Sequence, residues 1–167
     1  MHRDVLEADA RQLVRECGTR DPFQIARLTG TYVRFKELGS LKGMYLVLNG
    51  FRFLVINPNL SAALQRMVCA HELGHDRFHR EEAQDHALHE FAAATGSDRT
   101  EYEANVFAAA LLIDDDALMT SEADSPEALA AELGVDTNLL ALRMQSLRAR
   151  GIPCPEWSYR SDFLKSR

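Results

Sequence analysis

His71-Glu72-Leu73-Gly74-His75 is the stretch on which the reading of this chain turns. On a helix, residues four apart lie about 40° apart around the axis and roughly 6 Å apart along it. Two imidazoles so placed converge on one metal ion, and the intervening glutamate can act as a base. The helix has its own signals. Ser61 is fit to cap it, and Leu64, Met67, Val68, His71, Gly74 and His75 follow at three- and four-residue spacing. Gly74 in that interior costs about 1 kcal/mol relative to alanine, and close approach of another backbone is a reason to keep it. Cys69, two residues before His71, points about 160° away from it and reads as a core thiol.

Upstream of this helix the pattern changes period. Residues 4–17 carry Val5, Ala8, Leu13 and Val14 at helical spacing, with Gly18 as C-cap. Asp21-Pro22 is an N-cap followed by a first helical residue, opening a short helix through Leu28 that Gly30 stops. Three strands are then expected, at Thr31–Glu37, Gly43–Leu48 and Phe51–Ile56. The last two flank Asn49-Gly50, a pair suited to a type I′ hairpin turn. The expected sheet is small and antiparallel.

Downstream, residues 81–99, which include Gly96-Ser97-Asp98, read as loop with at most a turn of helix. A helix is expected from Thr100 to Leu112, with Val106, Phe107, Leu111 and Leu112 for the core, and Asp114-Asp115-Asp116 ends it or begins another. Residues 125–150 contain two more helices around Leu133-Gly134-Val135, with Pro126 at an N1 position and Gly151 at a C′ position. This pair resembles a helix-turn-helix. Its second helix offers Asn138, Arg143, Gln145 and Arg148 to base edges, a thin set for a DNA reader. The tail from Ile152, with Pro153, Pro155 and the lone Trp157, reads as an irregular arm packed over the body.

The 167 residues, 46% apolar and 26% charged, suit one globular domain with a real core. No apolar run approaches the ~20 residues that span a bilayer. The start, Met1-His2-Arg3-Asp4, has no signal-peptide pattern. Cys17, Cys69 and Cys154 are odd in number and form no CxxC pair, which fits reduced thiols in a cytoplasmic protein. The net charge of −6 is uneven. Nine basic and six acidic side chains leave residues 1–60 at +3, whereas four and twelve leave residues 61–120 at −8. So acidic a middle disfavours nonspecific nucleic-acid binding and suits a dication.

Catalytic zinc keeps three protein ligands and an open position for water, whose pKa falls to about 7. His71 and His75 supply two ligands, and Glu72 is placed to take the proton of that water. The chain after His75 reads Asp76-Arg77-Phe78-His79, without the glycine turn that would bring in a third histidine. His79 lies one turn further along the same helix, too far to complete a tetrahedron. Like His86 and His89, it is expected in solvent or loop. One of these histidines, Tyr45 or Tyr102 would serve the oxyanion of the reaction, and the sequence does not choose among them. Glu101 and Glu103 are both available as third ligand. They point about 160° apart, so only one can face the metal. Glu101 shares a helix face with Asn105, an amide fit to orient a ligating histidine.

The pentapeptide, followed by Glu101-Tyr102-Glu103-Ala104-Asn105-Val106-Phe107-Ala108-Ala109 and Leu111-Leu112, resembles the ImmA/IrrE family of metallo-endopeptidases. Leu41-Lys42-Gly43, Ile56-Asn57 and Ala70 also fit, so the resemblance covers roughly residues 20–115. It implies a gluzincin-like site with His71, His75 and Glu101 on Zn2+, Glu72 as general base and Asn105 behind a ligand. It also implies cleavage of helix-turn-helix repressors, often those of prophages or integrative elements, which relieves repression. Two positions depart from the pattern. Ile113-Asp114 stands where the family commonly has Met-Pro, which alters how the helix exits. Asp76 replaces a more usual apolar residue, placing an acid beside His75 that either tunes the histidine or faces water.

The expected fold is α+β and zincin-like, with a small antiparallel sheet packed with the two ligand-bearing helices and a helical C-terminal part. Residues 1–120 form the metallopeptidase domain and 121–167 a helix-turn-helix-like extension packed on it. The expected function is a cytoplasmic, zinc-dependent, site-specific endopeptidase acting on a repressor protein, with no membrane partner and no direct nucleic-acid binding. The alternatives are a DNA-binding regulator and a non-catalytic zinc-bearing module that sequesters a repressor.

Overall fold

The computed structural model describes residues 2–84, 98–155 and 157. Residues 85–97, most of the loop expected at 81–99, with His86 and His89, and the end of the tail, 158–167, lie outside the described residues. Two N-terminal helices, α1 (Arg3–Cys17) and α2 (Pro22–Leu28), precede strands β1 (Tyr32–Phe35), β2 (Gly43–Leu48) and β3 (Phe51–Ile56). Then come α3 (Ala62–Phe78), α4 (Arg80–Gln84), α5 (Asp98–Leu112), α6 (Asp115–Thr120), α7 (Pro126–Leu133) and α8 (Thr137–Ala149). The architecture is α+β and zincin-like, as expected. Among the described residues no helix is long and apolar enough to cross a membrane.

Local chemistry sets the boundaries. Asp21 Oδ1 accepts from Phe23 N at 3.0 Å, Ser61 Oγ from Leu64 N at 3.3 Å, and Asp136 Oδ1 from Leu139 N at 2.8 Å. Each cap satisfies an amide that a helix start leaves without a partner. Asn49 and Gly50 take φ values of 50° and 80°, the left-handed pair that a type I′ turn requires.

The sheet differs from an all-antiparallel one. Its order is β1-β3-β2, with β2 antiparallel to β3 and β1 parallel to it. Tyr32 stands opposite Phe53, and Gly43 opposite Ile56. The Asn49-Gly50 hairpin determines β2 against β3 locally. No such turn joins β1 to β2, so residues 36–42 carry the chain past the end of β3, where Asn57 N donates to Lys42 O at 2.9 Å. The central strand turns Leu54 and Ile56, both fully buried, toward the helices. Its opposite face stays partly exposed, with Tyr32 stacked on Phe53 at a 5.5 Å ring separation.

The core runs between the sheet, α3 and α5, and extends through Leu129, Leu139, Leu140, Met144 and Leu147 of α7 and α8. Cys69 is fully buried there, and burial pushes its thiol well above the ordinary value. At Gly74 the backbones of α3 and α5 come close together. A Cβ at this position would lie 2.9 Å from Ala104 Cα, closer than real side chains tolerate. The close backbone approach expected of this glycine is present.

Candidate metal centre

α3 and α5 supply the cluster between them. His71 Nε2 and His75 Nε2 lie 3.1 Å apart. From α5, Glu101 brings Oε2 to 3.2 Å from the first and Oε1 to 3.4 Å from the second. One ligand atom from each of the three falls within 4.8 Å of the others. Two imidazole nitrogens and a carboxylate facing one point are a donor set that can hold a divalent metal ion. Hydrogen bonds from His71 and His75 hold the Glu101 carboxyl well below the usual carboxylate range.

Asn105 lies one turn beyond Glu101 on the same face of α5. Its Oδ1 is 2.9 Å from His71 Nδ1. An amide oxygen only accepts, so His71 carries a hydrogen on Nδ1, which leaves Nε2 as the ring nitrogen that can bind a metal ion. Burial works against a charged His71, but Glu101, Glu72 and Asn105 together raise its pKa above the ordinary value.

Glu72 sits beside this point and is only 8% exposed. Burial pushes its carboxyl up; His71 and His75 partly offset this, as does a hydrogen bond from the Tyr45 main chain. The strand that makes this bond also crowds the carboxylate. A Cβ on Gly43 would lie 2.4 Å from Val68 Cγ1 and 3.2 Å from Glu72 Oε1. Gly43 therefore lets β2 run against the glutamate, a role invisible in its sequence context.

Several expectations change here. His79, expected in solvent or loop, is 4% exposed and caps α3 beneath His75. The stripe of His71 and His75 continues one more turn under α5. His79 Nδ1 lies 3.0 Å from His75 Nδ1, and its Nε2 lies 3.1 Å from Glu103 Oε2. Glu103, the rival third ligand, is thus engaged one turn away from the cluster, where Arg99 Nε also donates to its Oε1 at 2.9 Å. Burial raises the Glu103 carboxyl, but these hydrogen bonds help bring it down to about 2. The spacings of His71, His75 and His79, and of Arg99 and Glu103, were the signal for this chain of contacts.

Asp76 neither faces water nor bonds His75. It is 1% exposed and takes Arg52 Nη1 at 2.6 Å and Thr31 Oγ1 at 3.0 Å. An acid is tolerated at this apolar position because strand β3 and the turn before β1 bring it partners. Among the oxyanion candidates, the Tyr45 hydroxyl is buried, and burial and Asp76 raise its pKa. Tyr102 accepts from Arg3 Nε at 3.0 Å.

The helix-turn-helix-like pair is tied into the body. Arg143 is 1% exposed, pairs with Asp115, and lies 3.1 Å from Glu7 Oε2. Gln145 accepts from Arg3 Nη2 at 3.0 Å. Arg148 Nη2 donates to Pro155 O at 3.3 Å, so three of the four groups that α8 would offer to DNA make internal contacts.

An α+β domain with a two-histidine, one-glutamate cluster on neighbouring helices defines a zincin-like protein of the metallopeptidase type. Within that class, the chain belongs to the ImmA/IrrE family. Residues 26–145 match the peptidase M78 model, described as the IrrE N-terminal-like domain. The chain is also 31% identical over 112 residues to "Uncharacterized immunity region protein 2" of Bacillus phage phi105, covering 66% of this chain and 70% of the relative.

Proposed function

We propose that this protein is a cytoplasmic, zinc-dependent, site-specific endopeptidase that cleaves a helix-turn-helix repressor of a prophage or mobile element and so relieves repression. The observation that carries the reading is the convergence of His71 Nε2, His75 Nε2 and Glu101 on one point, with Glu72 beside it. Zinc suits this donor set and, when bound, supplies a Lewis acid that polarises the scissile carbonyl and acidifies a water. His71, His75 and Glu101 would hold it, and Asn105 keeps the His71 lone pair aimed inward. Glu72 takes the proton of the attacking water and delivers it to the leaving amine. Its position next to both histidines suits that transfer.

The substrate would lie along β2. This strand pairs with β3 on one edge and, among the described residues, with no strand on the other. An extended peptide added there gains main-chain hydrogen bonds with little demand on its sequence. We assign residues 1–120 to the catalytic unit and 121–167 to a packed extension. A repressor as substrate is supported by family membership and by the phage relative, which is named for an immunity region.

The test is incubation of the zinc-loaded protein with candidate helix-turn-helix repressors, read by intact mass. Two fragments whose masses sum to the repressor plus one water are expected. Glu72→Gln is expected to keep zinc and to lower cleavage by at least ~10²-fold. Repressors that all stay whole, bound or not, refute the peptidase reading.

A further inference from the structure

The contacts behind His75 form a line in which each group dictates where the next carries its hydrogen. Glu103 is 5% exposed, and its carboxylate only accepts. His79 Nε2, 3.1 Å from Glu103 Oε2, must therefore carry a hydrogen. A neutral His79 then has a bare Nδ1, which can only accept. His75 Nδ1 is 3.0 Å from it and must be the donor. A neutral His75 with its hydrogen on Nδ1 turns a lone pair on Nε2 toward His71 and Glu101.

We propose that Glu103, acting through His79, sets the tautomer of His75 and so prepares its Nε2 to bind the metal. Glu103 and His79 are positioning residues, since neither reaches the cluster. His71 is set by a single amide, Asn105. His75 is set by a two-residue line that ends on α5, so the same helix that brings Glu101 also orients both histidines. This rests on the metal-centre reading above for its purpose; the hydrogen positions follow from the contacts with His79 neutral.

Glu103→Gln is the informative variant because it keeps the shape and changes the rule. Arg99 Nε donates to Oε1 at 2.9 Å and would claim the amide oxygen. The amide nitrogen would then face His79 Nε2 as a donor. His79 would move its hydrogen to Nδ1, and His75 would have to move its own to Nε2, the atom the metal needs.

The experiment is ¹⁵N NMR of the histidine rings in the metal-free full-length protein, with zinc affinity measured by chelator competition. In the wild type, His79 is expected to carry its hydrogen on Nε2 alone, and His75 to carry one on Nδ1. In Glu103→Gln, the His79 hydrogen is expected on Nδ1, with zinc affinity down about 10- to 100-fold. Wild-type His79 with its hydrogen on Nδ1 overturns the proposal without recourse to any variant. So does Glu103→Gln with the wild-type tautomers and affinity. A wild type with the stated tautomers but no affinity for zinc would refute the proposed function and leave the tautomer line standing.

Discussion

Gly74 of α3 and Ala104 of α5 meet backbone to backbone, so that a Cβ on the glycine would lie 2.9 Å from Ala104 Cα. This contact sets the spacing of the two helices between their cluster residues. His71 and His75 flank Gly74 on one side; Glu101 and Asn105 flank Ala104 on the other. A wider separation would carry Glu101 away from both imidazoles.

Gly74→Ala gains about 1 kcal/mol of helix propensity but forces the helices apart. Overpacking of this kind costs about 1–3 kcal/mol, so net destabilisation and weaker zinc binding are expected. Urea unfolding and chelator competition would read both. A variant more stable than wild type, with unchanged zinc affinity, would show that the contact has slack.

Glu101→Ala removes a group that touches both histidines, whereas Glu103→Ala removes one that touches His79. Zinc content after dialysis is expected to fall much further for the first. The reverse ranking would move the third ligand to Glu103.

Gly43→Ala places a methyl group against Val68 and the Glu72 carboxylate. The carboxylate must shift or the strand must lift. Cleavage is expected to drop at least ~10-fold while zinc stays bound, because Gly43 touches none of the three ligating groups. Wild-type turnover in this variant would mean that β2 does not position Glu72.

Arg143→Ala leaves Glu7, only 2% exposed, with Arg11 at 3.4 Å and Arg150 at 3.7 Å. Removing one partner of a buried ion pair typically costs about 3–5 kcal/mol, and denaturant unfolding should show a loss of that order. A small loss in stability together with a large loss of operator binding would instead make Arg143 a DNA-reading residue.

The parts of this protein legible in sequence are those governed by short-range rules. Helical spacing placed His71, Glu72 and His75 on one element, Ser61 and Asp21 marked helix starts, and Asn49-Gly50 marked the hairpin. Asn105 was legible as a partner for a histidine because it shares a face with Glu101. Gly74 was legible as a close approach because glycine in a helix interior carries a cost that such a contact explains.

What the sequence alone determined is thus two histidines one turn apart on one helix, a glutamate between them and a pair of candidate glutamates on another. Only the tertiary structure decided which glutamate meets the histidines, because that depends on the axial offset of α5 against α3. Spacing within α5 cannot reveal this offset. The same offset buried His79 against Glu103 and turned an expected surface histidine into part of the site. Likewise, β1 lies parallel to β3 because a loop carries the chain past it, and Asp76 is buried because β3 brings Arg52 to it. These are contacts between residues distant in the chain, determined by packing that no local pattern records.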